Sequence, residues 1–280
     1  MLGAGSTSRD TVLAVGVATR ARERPGWRSV AVPSEHGGWG LTLEPILLGL
    51  LVAPSAAGAA LATAAMLAFV VRTPLKMVLV DRWRRRWLPR TGVAAGIASG
   101  ELAAMAGFGL LACRWAGWSW LAPAVLAVPL VLTEVWFDMR SRGRRLGPEL
   151  CGAVGITAVV AAMIIAGGET GRLAAALWLV LAARAVMAIP FVRVQITRLR
   201  HGAGAFTTSD TAQLVGIVLA MTALAFDVRV VAGSIAAVGL ALVHLVWVRR
   251  PPRPAKVLGM CQLVVGLGLV AVTAAGVLAA

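Results

Sequence analysis

Apolar runs separated by short basic or Pro- and Gly-containing breaks fill the sequence from residue 38 almost to its end. Backbone amides in hydrocarbon must hydrogen-bond within their own segment, so such runs form helices, and about 20 apolar residues cross a bilayer. The pattern predicts an all-α integral membrane protein with nine transmembrane helices. We place them near residues 38–54, 56–72, 91–113, 117–137, 149–167, 171–192, 210–226, 229–248 and 256–278.

Lys and Arg alternate between the two ends of these predicted helices. Of the 27, twenty-three precede the first helix or follow the second, fourth, sixth and eighth helices. The opposite connections hold only Arg114, Arg172 and Arg229, and Arg184 lies within the sixth helix. Since Lys and Arg are enriched on the cytoplasmic side, a cytoplasmic amino terminus and an outside carboxyl terminus are predicted. The protein is expected in the cell (inner or plasma) membrane, in contact with the lipid bilayer.

Composition excludes several classes of protein. With 59% apolar and 14% charged residues, the chain is not a soluble globular protein. The net charge of +15 does not indicate a nucleic-acid partner, because the arginines form short clusters that membrane topology explains. The three cysteines have no metal-binding or disulfide spacing. We predict a flexible basic cytoplasmic tail at 1–35 and a single transmembrane domain at 36–280; the oligomeric state is not indicated.

The start of the first helix carries one group of candidate functional residues. The segment SEHGGWG occupies residues 34–40, and Glu44 follows inside the apolar run. His36 can donate, accept or carry a proton, and a carboxylate in an apolar helix is costly unless it is paired or faces a polar cavity. His36 and Glu44 are therefore candidate catalytic acid or base groups. The alternatives are an interfacial anchor for the His36 segment and a structural ion pair for Glu44.

Two further groups carry charges suited to phosphate and to a metal ion. Arg72 and Lys76 are four residues apart and share one helix face, with Asp81 close behind. Arg and Lys at such spacing can bind phosphate or anionic lipid headgroups. Alternatively, they only fix the orientation of the helices in the membrane. Glu134 and Asp138 are also one turn apart, the arrangement that Mg²⁺ between protein and diphosphate would use. Asp81, Glu134 and Asp138 are thus predicted metal ligands, with salt bridges to neighbouring arginines as the alternative.

Three more arginines complete the predicted substrate-binding set of Arg72, Lys76, Arg140, Arg184 and Arg193. Arg184 lies well inside an apolar helix, so we expect it to face an acid or an anionic ligand in the bundle, with Glu44 and Glu101 as candidate partners. If Glu44, Glu101 and Arg184 instead line a pathway, the protein is a transporter. A non-catalytic membrane scaffold is the third possibility.

The sequence after about residue 30 resembles the YwiC-like family of bacterial membrane proteins. The resemblance rests on PSEHGGW at 33–39 through Glu44-Pro45, on the segment from Arg72 to Asp81, and on Asp138-x-Arg140 followed by Glu149-x-x-Gly152. This family implies no particular reaction.

The chain is more distantly similar to the UbiA-type prenyltransferases. The shared features are the first-helix pattern ending PILLG at 45–49, nine predicted helices and polar cytoplasmic connections after even-numbered helices. The resemblance implies a UbiA-like bundle that binds an isoprenoid or lipid diphosphate through Mg²⁺ at its cytoplasmic mouth. If the protein is an enzyme, the resemblance implies a transferase or cyclase acting on prenyl diphosphates. Asp81 stands where the first Asp-rich motif of that superfamily occurs, although the full Asn-Asp-x-x-Asp pattern is absent.

Overall fold

A computed structural model describes residues 36–280 apart from 142 and 144, with side chains from residue 38 onward. These residues form nine α-helices and a short 3-10 helix at Val228–Val230. The α-helices are α1 (His36–Val52), α2 (Ala56–Trp83), α3 (Pro89–Ala116), α4 (Leu121–Met139), α5 (Leu146–Ala166), α6 (Gly171–His201), α7 (Phe206–Phe226), α8 (Val231–Trp247) and α9 (Ala255–Ala279). The predicted basic tail lies outside the described residues.

Length and composition make eight of the nine described helices able to cross a bilayer. The all-α, multi-pass membrane class is therefore confirmed. Helix α1 is the one that does not qualify, with 17 residues or about 25 Å at 1.5 Å per residue. Helix α8 also has 17 residues, and it qualifies together with the 3-10 helix before it, as one 20-residue span over Val228–Trp247. The ninth span and the orientation of the termini stay predictions.

The helices pack as two groups joined by central helices. Helix α2 packs against α3, α4 and α5, and α4 also packs against α5, while α7, α8 and α9 pack around α6. Helix α1 lies between the groups, in contact with α5 and α9. At its crossing with α5, a Cβ on Gly49 would stand 2.9 Å from the Met163 side chain, so this close approach requires glycine.

The lipid-facing surface is apolar and carries tryptophans at both ends of α3. Large exposed side chains include Leu110, Leu126 and Ile235. Trp87 is exposed just before α3 and Trp115 near its last residue. Tryptophan is enriched where a membrane protein meets the two bilayer interfaces, so α3 has the features of a full crossing.

Two helices extend beyond their predicted ends. Helix α2 continues to Trp83 and α6 to His201, whereas the apolar runs end near 72 and 192. Arg, Lys, Met and Leu are good helix formers, so the first charge marks the approach to water and not the end of the helix. Pro74 and Pro190 are buried within these helices, where packing offsets the missing hydrogen bond. As a result, Arg72 and Lys76 lie on a rigid helix and not in a connection.

Candidate functional site

The first candidate site is a cluster of four charged residues on α2 and α4, which we call the α2/α4 charge cluster: Arg72, Lys76, Glu134 and Asp138. Arg72 donates from Nε and Nη2 to Asp138 Oδ2, both at 3.2 Å, and Nη2 lies 2.6 Å from Glu134 Oε1. Lys76 Nζ donates to Asp138 Oδ1 at 2.8 Å. The side chain of Asp138 is 5% exposed, whereas those of Arg72 and Lys76 are 36% and 40% exposed. The carboxylates thus lie inside and the cations toward the surface.

Two glycines allow the chain to close over this cluster. Gly143, in the connection from α4 to α5, lies so close to the Asp138 carboxylate that any Cβ would collide with it. Gly152, on α5, has the same relation to the Glu134 carboxylate. A side chain at either position would displace a carboxylate that is already ion-paired. The geometry of the cluster therefore requires glycine at both positions.

Other charged residues near the same end of the bundle have partners of their own. Arg193 Nη1 donates to Glu149 Oε2 at 2.6 Å, which joins α6 to the first turn of α5. The guanidinium of Arg140 lies 4.0 Å from the ring centre of Trp136 and 5.1 Å from that of Trp83. Arg140 is thus placed by cation–π contacts just beyond the end of α4.

Asp81 forms a separate contact set at the end of α2. Its side chain is 2% exposed, accepts a hydrogen bond from Thr91 Oγ1 at 2.6 Å and one from Arg86 Nε at 2.7 Å. These bonds link the end of α2 to the start of α3. Asp81 has no contact with Glu134 or Asp138 among its described hydrogen bonds and ion pairs.

The second candidate site lies in the core of the bundle. Glu44 on α1 and Arg184 on α6 are 3% and 2% exposed, and Arg184 Nη2 lies 3.4 Å from Glu44 Oε1. The same Nη2 donates to the backbone carbonyl of Gln262 on α9 at 2.7 Å. Gly266 makes this meeting possible, because a Cβ there would collide with the Glu44 carboxylate. Of the two predicted partners of Arg184, the structure brings Glu44 to it.

Hydrogen bonds extend this pair across the bundle. The amide Nε2 of Gln213 on α7 donates to the carbonyls of Met187 and Ser209, at 3.1 and 3.3 Å. Gln213 Oε1 therefore faces Nδ1 of His244, 3.2 Å away, and Nδ1 carries the hydrogen. His244 Nε2 is then the acceptor for Gln262 Nε2 at 3.0 Å. We call Glu44, Arg184, Gln262, His244 and Gln213 the core polar chain; it joins five helices.

Comparison with known families locates these sites within the sequence. Residues 32–166 match the family model of YwiC-like proteins. The YwiC-like resemblance predicted from the sequence is confirmed over that segment, which contains α1 to α5. No curated protein and no solved structure gives a significant match.

The YwiC-like segment contains the whole α2/α4 charge cluster, Asp81 and Glu44. Of the core polar chain, Arg184, Gln213, His244 and Gln262 lie beyond it. The core polar chain therefore joins the YwiC-like segment to the rest of the chain.

The structure distributes the predicted site residues over several places. Arg72, Lys76, Glu134 and Asp138 meet, Arg193 pairs with Glu149, and Arg140 stacks on tryptophan. Glu44 and Arg184 belong to the core polar chain, and the side chain of His36 lies outside the described part. The roles predicted for all of these residues stay predictions.

The fit of the α2/α4 charge cluster to Mg²⁺ rests on two carboxylates. The described residues contain no group of three or more His, Cys, Asp or Glu side chains placed to share a metal ion. Mg²⁺ is commonly held by one or two carboxylates together with water and substrate phosphates, so Glu134 and Asp138 have the chemistry for it. Asp81 is engaged with Thr91 and Arg86 instead, and its predicted metal role gains no support from these contacts.

Sequence reasoning did not identify the amide members of the core polar chain. Gln213 and Gln262 are uncharged residues in apolar helices, and His244 is a lone histidine, a residue type that is more often a packing residue than a ligand. One signal was present in the sequence: a buried charged pair requires additional hydrogen-bond partners. Polar residues in α7, α8 and α9 are the candidates for those partners.

Proposed function

We propose that this protein binds an isoprenoid or other lipid diphosphate at the α2/α4 charge cluster. The observation that carries the proposal is the convergence of Arg72 and Lys76 at the end of the bundle, above a buried acid. Both side chains are more than a third exposed, so a phosphate group arriving from the membrane interface can reach them and compete with the carboxylates for their donors. The guanidinium of Arg72 can hold two phosphate oxygens at once, and Lys76 adds a point charge.

Mg²⁺ fits the proposal as a partner of the diphosphate. Glu134 and Asp138 would hold the ion, which would supply neutralisation of the charge that develops on a leaving diphosphate. The four side chains carry two positive and two negative charges. When the ligand is bound, the acids would pair with Mg²⁺ and the basic residues with phosphate, so every charge keeps a partner.

Catalysis on a prenyl diphosphate, as transferase or cyclase, is the finer form of the proposal. It rests on the distant resemblance of the sequence pattern to UbiA-type prenyltransferases and on the exposed apolar side chains beside the cluster, such as Leu132 and Trp136, where a prenyl chain would lie in lipid. His36 remains the proposed acid or base at the start of α1. Glu44 is less suited to that role, because it is buried in the core beside Arg184.

Thermal unfolding in detergent tests the proposal. Geranylgeranyl diphosphate with Mg²⁺ should raise the unfolding temperature of the wild type, because a ligand that binds only the folded state stabilises it. Geranylgeraniol, which lacks the diphosphate, should not. In Asp138→Asn the Mg²⁺-dependent part of the shift should disappear, while Asp210→Asn, which changes an acid on α7, should behave as wild type. Equal shifts with the alcohol and the diphosphate would contradict the proposal.

Transport is the second candidate function, favoured by the core polar chain. Five buried polar side chains on five helices are expensive in a bilayer, and such residues commonly belong to substrate or ion pathways. In a deletion strain, loss of uptake of a solute with unchanged lipid composition would favour transport. Loss of a prenylated lipid with unchanged uptake would favour the diphosphate proposal.

A further inference from the structure

The guanidinium of Arg184 has unused donors in the centre of the bundle. Its Nη2 is engaged by Glu44 and by the Gln262 carbonyl, but Nε and Nη1 are buried with no hydrogen-bond partner among the residues that the structure describes. Within the described part of the chain, the side-chain Oε1 of Gln262 is also buried without a hydrogen-bond partner. Arg184 is 2% exposed and Gln262 7% exposed, so bulk water does not satisfy these groups.

Unpaired donors on a buried guanidinium are costly. Arginine keeps its charge in proteins, so it cannot escape the cost by losing a proton. Leaving a buried charged donor unsatisfied costs more than leaving a neutral one, and native structures rarely do so. Two donors of one arginine that lack a partner among the described residues therefore call for a polar guest beside Arg184.

We propose that Arg184 binds a small monovalent anion in the bundle core, and that the anion enters together with a proton on Glu44. With Glu44 ionised, the pair is neutral, and an added anion would leave a net negative charge far from water. With Glu44 protonated, Arg184 and the anion form the neutral pair instead. A low-dielectric interior strongly favours the neutral combination. Each anion that binds is therefore accompanied by one proton.

Close packing limits the size of this guest. Helix α9 approaches Glu44 through Gly266, and a Cβ there would also stand 3.1 Å from Arg184 Nη2. This tight crossing favours a small guest over a prenyl or sugar group. Ions of the size of chloride, nitrate or formate suit the site.

The groups that act on Glu44 come from two helices. Arg184 on α6 is its described ion-pair partner, and His244 on α8 is linked to the pair through Gln262. Since Gln213 and Gln262 engage both nitrogens of the His244 ring, neutral His244 has a complete set of bonds. The pH dependence is therefore assigned to Glu44 and not to His244.

This site is distinct from the α2/α4 charge cluster. The two share no residue: Glu44 and Arg184 lie on α1 and α6, whereas all four residues of the cluster lie on α2 and α4. Failure of diphosphate binding would therefore leave the anion site untouched.

Thermal unfolding of the full chain in detergent tests the proposal. The unfolding temperature in chloride or nitrate is compared with that in the bulky anion gluconate at constant ionic strength. Wild type should gain stability from the small anions at pH 5 and little at pH 8. Glu44→Gln, which mimics the protonated acid, should gain at both pH values, by roughly 5 °C at about 100 times Kd. The double variant Glu44→Gln/Arg184→Gln keeps every surface cation and should show no anion effect.

Three results would overturn the proposal. They are a folded Glu44→Gln protein that is indifferent to small anions, an anion effect that survives in the double variant, and a wild-type effect equal at pH 5 and pH 8. The first would mean that water fills the space beside Arg184. If Glu44→Gln does not fold in any salt, the pH dependence of anion stabilisation in the wild type decides whether the proposal stands. His244→Asn should retain that pH dependence.

Discussion

Single glycines decide whether the charged side chains of this protein can reach their partners. Gly266 on α9 leaves room for the Glu44 carboxylate, and Gly152 on α5 leaves room for that of Glu134. Both stand at points where a helix passes an acid that is already ion-paired. The contribution of such a glycine is the absence of a methyl group, which is invisible in a hydropathy profile.

Gly266→Ala should lower the stability of the protein by about 1–3 kcal/mol, because the new methyl group collides with a buried ion pair that has little freedom to move. Gly268→Ala is the matched control, since Gly268 lies on the same helix with nothing within 4 Å of a Cβ. The control should be neutral or stabilising by about 0.5 kcal/mol. Both changes in stability are measured by titrating a denaturing detergent into protein held in a mild one. Equal effects of the two substitutions would show that the Glu44 side chain is not held against α9.

At the scale of elements, the junction between α2 and α3 is held by one buried acid. Asp81 accepts hydrogen bonds from Thr91 and Arg86, and Leu88 N–H donates to Thr91 Oγ1 at 3.2 Å. Thr91 therefore connects the acid at the end of α2 with the residue that precedes α3. These contacts form a rigid turn on the side that the charge distribution assigns to the cytoplasm.

Thr91→Val should loosen this junction, because a hydrogen bond to a buried carboxylate contributes about 1.5–3 kcal/mol and the isosteric side chain cannot make it. Amide hydrogen exchange should become faster at the end of α2 and the start of α3, with little change in α6. Thr91→Ser keeps the hydroxyl and should preserve protection, as should Thr63→Val at an exposed position of α2. Unchanged exchange in Thr91→Val would mean that Asp81 does not organise the junction.

The positions of the helices can be predicted from the sequence, whereas the contacts between charged side chains of different helices cannot. The apolar runs predict all nine helices, and the spacing of Arg72 with Lys76 and of Glu134 with Asp138 predicts that each pair shares a face. The meeting of the two pairs is not predictable from spacing, because it depends on α2 packing beside α4 and on the continuation of α2 past Pro74. The partners of Arg184 likewise come from residues 78 and 140 positions away, Gln262 and Glu44.

At the scale of the whole molecule, the number of crossings depends on α1. Eight of the described helices qualify as spans by length and composition. Helix α1 does not, but it packs in the middle of the bundle against α5 and α9. A central helix cannot lie flat at the interface while its neighbours cross. We therefore expect nine crossings and termini on opposite sides.

Reporter fusions test this topology. Alkaline phosphatase should be active when fused after Ala280 or within the α3–α4 connection, and inactive within the α2–α3 connection, because the reporter folds only outside the cytoplasm. Green fluorescent protein should give the reverse pattern. Fluorescence from the fusion after Ala280 would mean an even number of crossings, and α1 would then fail as a span.

The measurement that tests the central claim most directly is an analysis of the lipids that copurify with the protein. If the α2/α4 charge cluster binds a lipid diphosphate, phosphorylated isoprenoids should be enriched in extracts of the wild type purified in mild detergent. They should be lost from Lys76→Gln, and retained in Lys256→Gln, which removes an equal charge at the start of α9. An identical lipid profile in all three proteins would contradict the claim.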